Sequence, residues 1–206
     1  MEFDNYSSHL SVFEKIHSAF NINSVLEFGL GEYSTAFFAE RCGFVVSVEQ
    51  ENSQWYDKIK AKISSPNWHP VFQREPRAVF QYFDDKGIRF DLVFSDGLAE
   101  TRCLVANLAM ERNTPVVILH DAEKIWYYRW NLLNIPANYS RFDFRSRAGV
   151  RKVTAVLTNH DADIIEQWNI PGHDRVLQAY SSPNQPVIQM VYRDSANAPH
   201  QISVQT

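Results

Sequence analysis

Polar residues collect where apolar runs stop: Glu27 to Gly31, then Glu49, then Asp96 with Gly97, then His120 with Asp121. Turns and helix caps carry Asp, Glu and Gly after any strand, so one such end means little. Four alike point to a site. Gly29 and Gly31 let the backbone turn tightly and approach a ligand, and a following helix would present free N–H groups to an anionic group. A carboxylate at Glu27, two residues before the first glycine, would repel a pyrophosphate and attract a ligand carrying ammonium or sulfonium charge. Glu49 lies 18 residues past Gly31, near the spacing of roughly 20 at which an acid accepts hydrogen bonds from ribose hydroxyls. A nucleoside with a cationic tail suits both acids. A dinucleotide fingerprint would place another glycine three past Gly31, where the chain has Ser34 followed by Thr35, so an NAD-dependent oxidoreductase is disfavoured.

The elements that must carry these residues alternate between short β-rich runs and helical stretches, the pattern of a parallel sheet with crossover helices. A first helix is expected over Ser7 to Phe20, with Leu10, Phe13, Ile16 and Phe20 on one side and Ser11 and Glu14 at capping-box spacing. Strands are expected at Ser24 to Phe28, Phe44 to Val48, His69 to Gln73, Phe90 to Ser95 and Pro115 to Leu119. Helices are expected between them at Tyr33 to Arg41, around Trp55, Ile59 and Ile63, at Arg77 to Asp84 and at Glu100 to Arg112. A Trp/Tyr-rich helix is expected over Glu123 to Leu133. Trp126, Tyr127, Tyr128 and Trp130 cannot all point into one core from there, so some should face a pocket or a partner. Arg141 to Phe144 and Lys152 to Thr158, joined by a loop with Gly149, read as a hairpin that puts one antiparallel strand into the sheet. The core unit would then span residues 1–159. The extension 160–206 has a candidate helix at Ile164 to Trp168, a strand-like run at Val187 to Tyr192 and a polar tail, with sheet extension, lid and dimer contact all open as roles.

The segments "LEFGLGEYSTAF" and "VVSVEQ" resemble the class I S-adenosylmethionine-dependent methyltransferases, whose first motif is an acid, any residue, Gly, any residue, Gly, and whose second strand ends in an acid. The resemblance covers about Ser24 to Asn159. It implies an α/β, Rossmann-like, doubly wound sheet of seven mostly parallel strands, one of them antiparallel, with helices on both faces. It implies S-adenosylmethionine as methyl donor, held by Glu27, Gly29, Gly31, Ser34, Thr35, Glu49 and Asp96. Gly29 and Gly31 would lie beside the amino-acid moiety, Glu49 on the ribose, and Gln73 to Glu75 near the adenine. "FSDGLAETR" and "VILHDAEK" look like the O-methyltransferase-like branch. On that likeness Asp96, His120 and Asp121 are the catalytic residues, with His120 the general base because its ordinary pKa lies near neutrality. A hydrogen-bonded structural histidine is an equal reading of His120. Asp96 and Asp121 could alternatively hold Mg²⁺, which would lower the pKa of an acceptor hydroxyl. Ala122 and Ala99 stand where metal-dependent relatives carry an Asn and a lysine base, so the ligand set is incomplete. Arg102 and Lys124 read as solvated helix-start charges.

Composition bounds the partners. The chain has 206 residues, 20 Lys and Arg against 24 Asp and Glu, and a net charge of -4. No long basic run is present, so nucleic acid is not expected as a partner. No segment nears the roughly 20 apolar residues of a membrane span and the N-terminus lacks a secretory pattern, so the expectation is a soluble, cytoplasmic protein. Cys42 and Cys103 stand far apart and form no CxxC pattern, and the sequons at Asn5 and Asn138 carry no weight without a secretory route. The expected function is O-methylation of a small-molecule acceptor, a saccharide or a phenolic compound, by a chain that could form a homodimer. A non-catalytic protein keeping the fold and its nucleoside is the alternative.

Overall fold

The structure is a computed structural model and describes residues 8–147, 152–179, 188–193 and 199–204. Helix α1 (Leu10–Ala19) precedes a run of alternating elements: β1 (Ser24–Phe28), α2 (Ser34–Arg41), β2 (Phe44–Glu49), α3 (Ser53–Lys62), β3 (Trp68–Phe72), α4 (Pro76–Asp85), β4 (Leu92–Ser95), α5 (Arg102–Glu111) and β5 (Val116–Leu119). Then follow β6 (Ser140–Ser146), β7 (Val153–Thr158), α6 (Ala162–Glu166), β8 (His173–Ala179), β9 (Ile188–Arg193) and β10 (Pro199–Val204). All ten strands form one sheet in the order β10-β9-β8-β6-β7-β5-β4-β1-β2-β3. The first five strands are parallel, β7 runs antiparallel between β5 and β6, and β8 to β10 continue antiparallel beyond β6.

Strand period explains the layering. Along β5, Val116 and Ile118 enter one core and Val117 and Leu119 the other, as alternate side chains must. The first core receives α1, α2 and α3 through Phe13, Phe38 and Ile59. The second receives α4 and α5 through Val79, Phe83, Val105 and Leu108. Helices thus cover both faces, as a sheet buried on both sides requires. The sheet is wider than the expected seven strands. Beyond the hairpin, β8 pairs with β6 and leads to β9 and β10, and Ile165, Trp168 and Ile170 lie buried in the first core with Phe13 and Phe20. Packing draws no boundary at residue 159.

Three local expectations change. α1 starts at Leu10, and its N-cap is His9, whose side chain makes no cap bond. The aromatic segment Glu123 to Leu133 is a series of turns closed by a single 3-10 turn, Trp130–Leu132. Tyr128 and Trp130 are both buried, and residues two apart on an α-helix would face opposite ways. Arg129 between them takes the left-handed conformation (φ 58°), which lets both rings turn inward while Trp126 and Tyr127 stay exposed. Finally, β10 lies in what reads as a polar tail. The loop around Gly149, the sequon at Asn5 and the start of the expected first helix fall outside the described residues. At the opposite side of the sheet, β3 pairs with β2 alone among the described strands. Gln73 N donates to Glu49 O at 2.9 Å; by strand alternation the nitrogen of Pro70, which bears no hydrogen, faces away from the sheet. No described helix is long and apolar enough to cross a membrane.

Candidate active site

Strands β1 and β4 converge at their carboxyl ends, and glycine makes this possible. Gly29 has φ 91°, and a Cβ there would stand 2.3 Å from the carbonyl oxygen of Asp96. Gly29 N donates to Val48 O (2.9 Å) and Asp96 N to Phe28 O (2.8 Å), so three strand ends are stitched together. Gln50 clamps the next loop, its Oε1 accepting from Leu98 N (3.0 Å) and Thr101 Oγ1 (3.1 Å). Its Nε2 donates to Arg74 O at 3.0 Å.

Glu27 is where the structure departs most from expectation. Its carboxyl is fully buried and does not line the cavity; Oε2 accepts from Thr35 Oγ1 (2.6 Å) and Ser47 Oγ (2.5 Å). Thr35 Oγ1 in turn accepts from Gly31 N at 2.9 Å. Glu27 and Thr35 therefore hold the glycine loop from beneath, and neither lines the cavity. Burial pushes the Glu27 carboxyl up to about 7, against the lowering by hydrogen bonds from Ser34, Ser47 and Thr35. Lined by the loop it supports, a cavity of about 830 Å³ opens over the strand ends. Gly29, Gly31, Ser34, Glu49 and Asp96 all line it. Glu49 Oε1 accepts from the backbone N–H groups of Glu51 and Asn52, each at 3.0 Å, which fixes the carboxylate on the wall. Beside it, Trp55 is anchored by Nε1 donating to Leu30 O (2.8 Å). Gln73 to Glu75 do not line the cavity; Leu98 and Ala99 do.

At the other end a charged cluster closes the cavity. Asp96 Oδ1 meets Arg102 Nη2 at 2.8 Å and His120 Nδ1 at 3.0 Å. Arg102 is only 8% exposed. It donates to the carbonyls of Gly97 (2.8 Å), Asp96 (3.0 Å) and His120 (3.3 Å), and its guanidinium lies 4.0 Å from the Tyr128 ring centroid. It is a buried strut, not the solvated charge its position suggests. Lys124, by contrast, keeps a half-exposed side chain 3.6 Å from Asp121. Burial raises the Asp96 carboxyl, but the imidazole of His120 and the guanidinium of Arg102 outweigh it and hold the group well below the usual carboxylate range. Burial also opposes ionisation of Asp121, yet His120 and Lys152 keep its carboxyl low.

His120 and Asp121 are buried behind Asp96 and do not line the cavity. Asp121 is absorbed by structure: it takes φ 54°, accepts from Tyr128 Oη (3.0 Å) and pairs with Lys152 Nζ (2.9 Å). Asp96, His120 and Asp121 do offer ligand atoms within 4.8 Å of one another. A divalent cation would have to displace both Arg102 and Lys152, so these residues do not fit Mg²⁺. Reasoning from sequence missed His9, which lines the cavity from the start of α1. Its signal was present: His9 stands four residues before Phe13 on the apolar stripe.

No family model matches the sequence, and no curated protein matches it. Solved structures do. An O-methyltransferase from Bacillus cereus in complex with SAH superposes with a TM-score of 0.62 at 16% identity, over 77% of this chain and 82% of that one. The O-methyltransferase TomG from Streptomyces achromogenes, involved in tomaymycin synthesis and solved with SAM, gives 0.58 at 16% identity over 77% and 81%. Cofactor-bound Rv0187 from MTB gives 0.59 at 15% over 78% and 83%. At these identities the likeness is one of fold, and the chain has the Rossmann-like fold of these methyltransferases.

Proposed function

We propose that this protein is an S-adenosylmethionine-dependent methyltransferase that methylates a hydroxyl group of a small molecule, a saccharide or a phenolic compound. The observation that carries this reading is the cavity itself. It runs from the Glu49 carboxylate, past the glycine loop, to the Asp96 carboxylate at the ends of β1, β2 and β4, where open α/β sheets bind ligands. Its volume of about 830 Å³ lies within the roughly 300–1,000 Å³ of small-molecule sites. Glu49 can accept from ribose hydroxyls, the backbone of Gly29 and Gly31 can lie beside an amino-acid moiety, and Asp96, kept ionised, faces the end where a sulfonium would be held. The bound donor supplies an electrophilic methyl group. The chain's own residues orient it for in-line displacement, and Tyr127 and Tyr128 line the cavity on the Asp96 side, where an acceptor ring would be positioned.

Calorimetric titration with S-adenosylmethionine, S-adenosylhomocysteine and NADH tests the cofactor. The two adenosyl compounds should bind, and Glu49→Ala should weaken both at least about tenfold, the loss of a charged hydrogen-bond acceptor. Binding of NADH alone, or an unchanged Glu49→Ala, would remove the reading. Transfer of labelled methyl to hydroxylated metabolites should survive a chelator, because the two acids already hold their cations.

A further inference from the structure

We propose that Glu27 couples donor binding to proton release: its carboxyl gives up a proton when the sulfonium nucleoside occupies the cavity and takes one back when the uncharged thioether product remains. The inference rests on the methyltransferase reading above. Oε2 of Glu27 accepts from both Thr35 Oγ1 (2.6 Å) and Ser47 Oγ (2.5 Å), whereas Oε1 is buried with no hydrogen-bond partner among the described residues. Cations on the surrounding elements are engaged elsewhere: Arg41 of α2 with Glu14 and Glu40, Lys58 and Lys62 of α3 with Glu32, and Arg102 of α5 with Asp96.

A buried carboxylate with one bare oxygen and no countercharge is costly, so the free protein favours the neutral acid with its proton on Oε1. Burial pushes the group up, hydrogen bonds from Ser34, Ser47 and Thr35 draw it down, and the Asp96 carboxylate raises it again, which leaves it at about 7. Its neighbours do not titrate there. Asp96, past the end of β4, is held well below the usual carboxylate range, His9 at the start of α1 is lowered to about 3, and Cys42 after α2 is raised to about 11. From β2 and β3 come the Ser47 hydroxyl and, behind it, Trp68 Nε1, which donates to Ser47 Oγ at 3.0 Å.

Asp96 already acts on Glu27, so a cation held against Asp96 cancels that repulsion and adds an attraction of its own. Thr35 Oγ1 carries the change to the cavity, because it donates to Glu27 and accepts from Gly31 N; an ionised carboxyl pulls harder on this chain and fixes the loop beneath the donor. Glu27 is thus a positioning residue. One carboxyl O–H becomes a carboxylate and one proton passes to solvent, so the sulfonium enters with no net change in the charge of the pocket. Methyl transfer removes the sulfonium charge, Glu27 recovers a proton, and the loop holds the product less firmly than the donor.

The test compares S-adenosylmethionine with S-adenosylhomocysteine, which differ by the sulfonium methyl alone, so that titration of their shared amine cancels in the ratio of affinities. In calorimetric titrations the parent's preference for S-adenosylmethionine should rise at least about fivefold from about pH 6 to about pH 8. At about pH 7, in buffers of different ionisation heat, S-adenosylmethionine should release roughly half a proton more than S-adenosylhomocysteine. Glu27→Gln, which keeps an acceptor oxygen and loses the charge, should show a ratio that does not change with pH and no difference in protons released. If that variant does not fold, Ser47→Ala replaces it: loss of a hydrogen bond to the carboxylate should move the rise to higher pH. A parent with a flat ratio, a Glu27→Gln protein that keeps the parent's rise, or a Ser47→Ala protein that leaves it unmoved overturns the role of Glu27 and leaves the methyltransferase reading standing. A parent that binds neither nucleoside overturns that reading, and this proposal with it.

Discussion

Glu27 shows how far a residue's position in a motif can stand from its job. As a strand-end acid it reads as a charge offered to a ligand, yet it is buried beneath the loop and works through Thr35 on Gly31. Strand alternation could not show this, because it says which face a side chain takes and not how deep a neighbouring helix covers it. Glu49, Gly29, Gly31 and Asp96 were legible because they sit at the very ends of strands, where the chain must emerge. Burial gives Glu27 a pH signature. Its folded pKa is raised to about 7 from 4.5, so below pH 4.5 the carboxyl is neutral in both states and folding bears no cost. As pH climbs towards 7 the unfolded chain ionises first, and stability falls by roughly 3 kcal/mol. Urea unfolding of the parent and Glu27→Gln between pH 4.5 and 7.5 should show the parent losing ground steadily; curves that run parallel would refute it. Across the same range His9, depressed to about 3, shifts stability the other way: protonation of the unfolded chain favours unfolding below pH 6.5. His9→Phe should therefore lose less stability than the parent between pH 6.5 and 4.5.

At the level of elements, α5 does more than cross the sheet. Its first residue, Arg102, reaches back over the ends of β4 and β5 and neutralises Asp96 and Asp121 together, at 2.8 and 3.7 Å. Removing one partner from a buried ion cluster strands the others, at a cost of about 3–5 kcal/mol. Arg102→Met should lose about that much in denaturant midpoint analysis, and Arg102→Lys should recover little, since an ammonium cannot span three carbonyls and two carboxylates. A substitution costing under about 1 kcal/mol would show the cluster to be solvated after all. The succession of the first five strands and their helices along the chain followed from hydrophobic pattern, most clearly for β1, β2, β4 and β5, which are buried on both faces, and less so for the half-exposed β3. The turns at Glu123 to Leu133 did not. Aromatic density mimics a helix there, while the burial of Tyr128 and Trp130 is set by partners distant in sequence, such as the carbonyl of Asp121 that accepts from Trp130 Nε1.

For the whole molecule, the C-terminal portion belongs to the body of the protein. Ile165, Trp168 and Ile170 fill the core under α1. Their burial, at roughly 1.5–3 kcal/mol each, approaches the 5–15 kcal/mol that holds an ordinary domain together. A chain ending at residue 159 should accordingly lack a cooperative thermal transition; a sharp melt within a few degrees of the parent would show that the core closes without these side chains. Of the strands beyond β7, the run at Val187 to Tyr192 was legible and is β9; β8 and β10 were not, and each is a strand through the neighbour it pairs with, β8 on the edge of β6 and β10 on β9.

Pro70 sets the complementary limit. A strand approaching β3 from outside meets a missing donor in the middle of its length, so backbone zippering stalls on that flank. Among the described strands, main-chain pairing with a neighbour is favoured at the β10 edge, away from the cavity over β1, β2 and β4. Anyone grafting a strand onto this scaffold should start from β10 and expect the half that carries the cavity to be left undisturbed.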